Sequence, residues 1–116
     1  MSSSWRRLNL IALTLFFACL MAGHHAAAAG KQTLTGELGD AMCGAKHMEP
    51  DPAACTRTCV SHGSKYALVV GDNVYVLNTD DKAILASLSQ QAGKKVSITG
   101  TVNGVAIDVS SVAPAK

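Results

Sequence analysis

A segment of 22 residues, 42–63 (MCGAKHMEPDPAACTRTCVSHG), carries the side chains of this chain that are best suited to chemistry. It contains Cys43, His47, Cys55, Cys59 and His62. Thiolate and imidazole groups bind zinc, and sulfur-rich sets also suit cuprous copper. Cysteines at these positions can equally form or exchange a disulfide. The segment therefore predicts a metal centre, a structural disulfide or a thiol-exchange centre.

The second half of the segment predicts a short helix over residues 52–62. Asp51 is a favourable N-cap residue, Pro52 suits the first helical turn, and Gly63 favours termination. Three candidate ligands then occupy positions i, i+4 and i+7, which lie on one face of a helix. These are Cys55, Cys59 and His62.

The first half of the segment predicts a loop that carries Cys43 and His47. Pro50 and Pro52 prevent a helix from continuing through it. If this loop folds back over the helix face, it brings its two ligands to those of the helix. We therefore predict a site for zinc or copper built from three thiols and two imidazoles, namely Cys43, His47, Cys55, Cys59 and His62.

A disulfide is the alternative use of the same cysteines. On a helix, the Cβ atoms of Cys55 and Cys59 are about 6 Å apart, beyond the roughly 3.8 Å that a disulfide needs. A bridge would therefore join Cys43 to Cys55 or to Cys59, and exported proteins favour such bridges. The third thiol is then either buried and inert or able to attack the bridge, which would make a three-thiol exchange centre.

The first 29 residues have the pattern of a secretory signal peptide. A basic start (WRR) precedes an apolar run over residues 8–22, and a stretch of alanines follows. The run is short for a membrane span. We expect cleavage near residue 29, a periplasmic or secreted product, and a single domain over residues 30–116. Cys19, His24 and His25 belong to this leader, so we exclude them from the predicted site.

Charge and aromatic content exclude nucleic acid as an expected partner. Without Arg6 and Arg7, eight of the ten Lys and Arg residues remain against eight Asp and Glu. The domain therefore has no basic excess to attract phosphates. Tyr66 and Tyr75 are its only aromatic residues, too few for a base-stacking platform.

Alternating apolar and β-branched residues predict five strands. The first covers residues 31–39, with an irregularity at Gly36. Hairpins follow at residues 66–77 and 96–109, the second turning at an Asn-Gly pair. The last strand is expected to end or bulge near Ser110.

An amphipathic helix is predicted between the two hairpins, after Asp81 and before Gly93. The resulting order is that of a mainly β fold with two short helices, namely a small five-stranded OB-like barrel. The loop and helix at about residues 42–63 form an insert in it. A five-stranded meander with helices on one side is the competing arrangement.

Three stretches of the chain, MCGAKHM, CTRTCVSHGSKYALV and VSITGTVNGVAIDVSSV, resemble a group of small exported bacterial proteins of unknown function. Those proteins share a Cys-Gly-x-Lys-His stretch, a Cys-x-x-x-Cys helix and a GSKYALV strand. The second half is also similar to periplasmic OB-fold proteins of the stress-associated type. The resemblance implies an exported OB-like domain with a Cys/His site on Cys43, His47, Cys55, Cys59 and His62, and it brings no catalytic mechanism.

The sequence therefore predicts a small exported binding or stability module, with the cluster bound to zinc or copper or clamped by a disulfide. The alternative is a cofactor-free envelope interaction module with a structural disulfide, and a thiol-disulfide redox protein is a third hypothesis. No catalytic residues are assigned. The expected partners are a metal ion or an envelope protein, without nucleic acid and without a stable membrane span.

Overall fold

The computed structural model describes residues 30–46 and 50–116. Within these ranges the chain forms five strands and two helices, which we number in chain order. They are β1 (Lys31–Asp40), α1 (Pro52–Ser61), β2 (Tyr66–Val70), β3 (Asn73–Asn78), α2 (Lys82–Gln91), β4 (Lys95–Asn103) and β5 (Ala106–Pro114). The predicted signal peptide and His47 lie outside the described residues.

The five strands form one closed ring in the order β1-β2-β3-β5-β4, with β4 pairing back onto β1. All neighbouring strands are antiparallel except β3 and β5, which run parallel. The predicted mainly β fold with two short helices is thus confirmed. The competing meander is wrong, because β3 pairs with β5 and not with the next strand along the chain.

Strand β1 closes the ring by pairing with two neighbours in turn. Its first part, up to Glu37, pairs with β4, and its last part, from Glu37 onward, pairs with β2. Gly36 lies beside this change of partner, and a Cβ atom there would overlap the carbonyl oxygen of Val69. The predicted irregularity at Gly36 is therefore a point where the backbone of β2 approaches too closely for any side chain.

The predicted bulge near Ser110 is also confirmed. Thr99 pairs with Ser111, whereas Gly100 pairs with Val109, so Ser110 is an extra residue on β5. Such a bulge increases the local twist of a strand, which favours closure of a small ring.

The core fills the inside of the ring with the alternate side chains of its strands. Its largest fully buried members include Leu38, Leu68, Ile98 and Ile107. Helix α2 adds Leu88, which is also completely buried. A buried leucine or isoleucine of this kind contributes about 2 kcal/mol or more through removal of apolar surface from water, so this core holds the scaffold of the candidate site.

Helix α1 begins and ends close to the predicted positions. The carboxylate of Asp51 accepts hydrogen bonds from the backbone N–H groups of Ala53 and Ala54 at 3.0 and 3.4 Å. The helix ends at Ser61, one residue earlier than predicted, with His62 as C-cap. Its low hydrophobicity leaves few buried residues, so other contacts must hold it in place.

Contacts with α2 and with the turn that follows it fix the position of α1. Arg57 Nε donates to the carbonyl oxygen of Ser89 on α2 at 3.1 Å. Gly93 has φ of 75° and lies so close to Ala53 that a Cβ atom would come within 2.7 Å of the Ala53 nitrogen. These contacts set the helix, and with it two cysteines, against the end of β1.

None of the helices in the described residues is both long and apolar enough to span a membrane.

Candidate metal centre

The end of β1 supplies the turn that positions the first thiol. Asp40, the last residue of β1, is fully buried, and its Oδ1 accepts the backbone N–H groups of Met42 and Cys43, both at 3.0 Å. The carbonyl oxygen of Asp40 accepts the N–H of Gly44 at 2.9 Å, and Gly44 has φ of 57°. A short carboxylate that binds the following backbone N–H groups is a typical turn former, and here it fixes Cys43.

Helix α1 supplies the other two thiols from successive turns. Cys55 is buried, with 3% of its surface exposed, and Cys59 is half-buried. Because residues four apart lie above one another on a helix, both side chains point to the end of β1. The predicted shared face of Cys55 and Cys59 is confirmed.

The three sulfur atoms and one carboxylate form a compact group. Cys43 Sγ lies 3.9 Å from Cys55 Sγ and 3.8 Å from Cys59 Sγ. One ligand atom from each of Asp40, Cys43, Cys55 and Cys59 lies within 4.8 Å of all the others. A tetrahedral zinc ion with Zn–S bonds of about 2.3 Å has S···S edges of about 3.8 Å. The measured sulfur distances therefore match those of a zinc shell.

One of the two carboxylate oxygens of Asp40 is buried without a favourable interaction among the described residues. This oxygen, Oδ2, is shielded from solvent and has no hydrogen-bond partner among them. A buried carboxylate oxygen in that state costs free energy, because it has lost its water and gained no donor. A cation bound between this carboxylate and the sulfurs would supply the missing interaction.

The surroundings of Cys43 and Cys59 raise the pKa of both thiols. Burial, followed by the hydrogen bond with Cys43 and the charge of Asp40, raises the pKa of Cys59 from 9.0 to about 12. Burial is also the largest cause of the raised pKa of Cys43. These two thiols resist ionisation because burial disfavours a charged thiolate and the charge of Asp40 repels it. A bound cation reverses that balance, since it favours the thiolate form.

The predicted disulfide is not formed. Cys43, Cys55 and Cys59 are all free, and the two sulfur distances from Cys43 exceed the roughly 2.05 Å of a disulfide bond. The sequence favoured a bridge because exported proteins often contain disulfides, and helical spacing then limited its partners to Cys43 with Cys55 or Cys59. Cys43 lies almost equally far from both possible partners, which is the arrangement of a shared ligand and not of one chosen pair.

His62, one of the two predicted histidine ligands, does not belong to the group of Asp40 and the three cysteines. His62 is exposed, and its backbone N–H donates to the carbonyl oxygens of Thr58 and Cys59. It shares the helix face of Cys55 but lies about 10 Å further along the axis, at a rise of 1.5 Å per residue. His47 lies outside the described residues, so its predicted role stays a prediction.

Asp40 is the ligand candidate that the sequence reading missed. The first strand was expected to end at residue 39, and a carboxylate after a strand is usually an ordinary turn residue. The useful signal was its position three residues before Cys43, in DAMC. At that spacing an aspartate can cap the turn that carries a cysteine and so share its surroundings.

Comparisons of the chain with protein-family models, with curated proteins and with solved structures found no match. The resemblance to small exported proteins therefore stays a prediction.

Proposed function

We propose that the protein is a small binding module that holds one zinc ion on Cys43, Cys55, Cys59 and Asp40. The observation that carries the proposal is the sulfur spacing of 3.8 and 3.9 Å around Cys43, which is the edge of a tetrahedral zinc–thiolate site of about 3.8 Å. The unpartnered buried oxygen of Asp40 supports it independently.

The donor set favours zinc over cuprous copper. Copper in its cuprous state selects soft sulfur ligands, whereas zinc accepts thiolates and carboxylates together. A fully buried carboxylate among three thiols adds a hard oxygen donor and a negative charge. Both features suit a divalent ion better than a monovalent one.

The proposed site is structural and not catalytic. Four protein ligands complete the tetrahedral shell of zinc, so no position is left for a reacting water. The bound ion would connect the end of β1 to α1, across loops of 12 and 16 residues between the sulfurs. It would thus act as the clamp of a binding or stability module, and the macromolecular partner is expected on the surface of the ring.

We place this module outside the cytoplasm as part of the same proposal. The basic, apolar and small-residue pattern of residues 1–29 supports export. In an oxidising compartment the thiols compete between metal binding and disulfide formation. The cofactor-free envelope module with a structural disulfide is therefore the outcome that an experiment has to separate from zinc binding.

Native mass spectrometry and zinc titration of the full chain, kept reduced, test the proposal. We expect one zinc ion per chain. Asp40→Asn should weaken binding by at least about tenfold, because an amide donates no negative charge to the ion. Asp72→Asn is the matched control: it removes the same charge from an exposed turn and should leave zinc affinity unchanged.

Two results would contradict the zinc site. The first is unchanged zinc affinity in both Cys43→Ser and Cys59→Ser. The second is a purified chain that lacks metal, has lost about 2 Da and has only one of Cys43, Cys55 and Cys59 open to alkylation, which would favour the cofactor-free module.

A further inference from the structure

The three sulfurs of the candidate metal centre differ in their access to solvent. Cys55 is 3% exposed and lies beside the fully buried Asp40. Cys43 and Cys59 are half-buried. A reagent in solution therefore meets Cys43 and Cys59 first, on the outer side of the site.

The same two accessible sulfurs are close enough to bond. Cys43 Sγ and Cys59 Sγ are 3.8 Å apart, and a disulfide bond of about 2.05 Å requires that they approach by less than about 2 Å. The pair Cys55 and Cys59 is unfavourable, because one helical turn separates their Cβ atoms by about 6 Å. Distance alone allows Cys43 to pair with either helical cysteine, at 3.8 and 3.9 Å. Access to solvent selects Cys59, because Cys55 is buried.

We infer that the metal site is redox-gated: a low-molecular-weight disulfide oxidises Cys43 and Cys59 to a disulfide, and the metal ion is released. The inference rests on the proposed function, because release requires a bound ion. After oxidation only Cys55 and Asp40 remain as donors. Two protein ligands are fewer than the four of a structural zinc site, so the ion leaves.

The chemistry is a two-step thiol–disulfide exchange. The Cys43 thiolate attacks one sulfur of the reagent, a Cys43–reagent bond forms, the reagent S–S bond breaks, and one reagent thiolate leaves with the electron pair. The Cys59 thiolate then attacks the Cys43 sulfur and expels the second reagent thiolate. Two protein thiolates lose two electrons in total, one reagent disulfide gains them, and zinc leaves as the unchanged divalent cation.

The first experiment follows zinc and sulfur together in the zinc-loaded full chain. Oxidised glutathione is added with a chromophoric zinc chelator, and samples are alkylated and mapped by mass spectrometry. We expect one zinc ion released for each Cys43–Cys59 disulfide, with Cys55 still alkylatable after denaturation. A reducing agent should restore one bound zinc ion. Reduced glutathione at twice the concentration is the control for zinc removed by the reagent thiols.

A matched pair of variants tests the choice of thiols in the metal-free chain. Cys55→Ala retains both accessible thiols and should still lose about 2 Da by forming the bridge. Cys59→Ala removes one of them and should stop at the mixed disulfide with glutathione. Because each variant replaces one cysteine of the same helix by alanine, a general loss of structure would affect both.

Three results would overturn the inference while the zinc site stands: zinc retained after the bridge has formed, zinc released with all three thiols reduced, or a bridge that contains Cys55. A reduced chain that binds no zinc would overturn the proposed function and the release together. The thiol map of the metal-free variants then still reports which cysteines pair, so the two failures are distinguishable.

Discussion

Asp40 Oδ1 accepts the backbone N–H of Cys43 at 3.0 Å, while the second oxygen of the same carboxylate is buried and has no hydrogen-bond partner among the residues described. One oxygen thus shapes the turn that carries a thiol. The other is available to a cation. In the proposed zinc site, the turn and metal binding would therefore depend on the same side chain, and a substitution at Asp40 has to be measured for both.

Replacement of Asp40 by alanine should destabilise the metal-free protein by about 2 to 3 kcal/mol. The change removes a buried carboxylate that accepts two backbone N–H groups, from Met42 and Cys43, in the turn after β1. Urea denaturation in the presence of a chelator and a reducing agent measures the free energy of unfolding. Asp72→Ala, in an exposed turn, should change it little. Equal effects of the two substitutions would contradict the role of Asp40 in the turn.

Thr56→Val should stabilise the protein by about 1 kcal/mol. Thr56 on α1 is fully buried, and its hydroxyl oxygen has no hydrogen-bond partner within the described part of the chain. Valine has a similar shape and removes the unsatisfied polar group. Thr56→Ser retains the hydroxyl and loses a methyl group, so it should be destabilising. A higher melting temperature for Thr56→Ser than for Thr56→Val would show that the hydroxyl has a partner.

Gly36→Ala should lower the free energy of unfolding by about 2 kcal/mol or more, because the added methyl group overlaps the backbone of Val69. The ring must then open at the β1–β2 contact, which also moves Asp40 at the end of β1. Gly71→Asn is the control, since Gly71 has φ of 60° and open space around it, and asparagine tolerates that conformation. Chemical denaturation measures both variants, and a neutral Gly36→Ala would contradict the close approach.

The raised pKa of Cys43 and Cys59 predicts two pH effects of known sign. The folded, metal-free chain holds these protons up to higher pH than the unfolded chain, in which a thiol titrates near 9.0. These two thiols therefore leave the free energy of unfolding of the metal-free protein unchanged below pH 9. It falls as the pH rises from 9 toward 12, because the unfolded state binds fewer protons than the folded state in this range. Denaturation midpoints measured across this range test it; a flat profile would contradict the raised values.

Zinc affinity should change in the opposite direction with pH. Zinc binds the thiolate form and displaces the thiol protons, so affinity rises with pH while the thiols of the metal-free protein are protonated. Isothermal titration in buffers of different ionisation enthalpy counts the released protons. No proton release at neutral pH would mean that the thiols are already ionised, contrary to the raised pKa of Cys59.

Local sequence patterns predicted most of the fold. The two hairpins, the helix between them, the irregularity at Gly36 and the bulge at Ser110 all arise from short-range features: turn residues, caps and alternation. The parallel pairing of β3 with β5 joins strands on either side of α2. No local pattern specifies it, because the choice between this ring and a meander depends on how the whole core closes.

The sequence predicted the three thiols of the candidate site but not the carboxylate of Asp40. Cys55 and Cys59 follow from helical spacing, and Cys43 was placed with them on the condition that its loop folds back over the helix face. Asp40 differs from an ordinary turn residue only through its complete burial, and burial depends on tertiary packing. His62, predicted on the same helix face, lies outside this group, because residues that point in the same direction around a helix can lie at different positions along its axis.

The donors of the candidate site come from a continuous stretch of twenty residues, 40–59. Closing it brings together sulfurs 12 and 16 residues apart, whereas the ring closes through contacts such as Thr33 with Thr99, which are 66 residues apart. Short loops cost less chain entropy and form earlier in folding. If the proposed zinc ion binds this stretch, it would be captured before β4 meets β1 and would speed up folding as well as stabilise the finished protein.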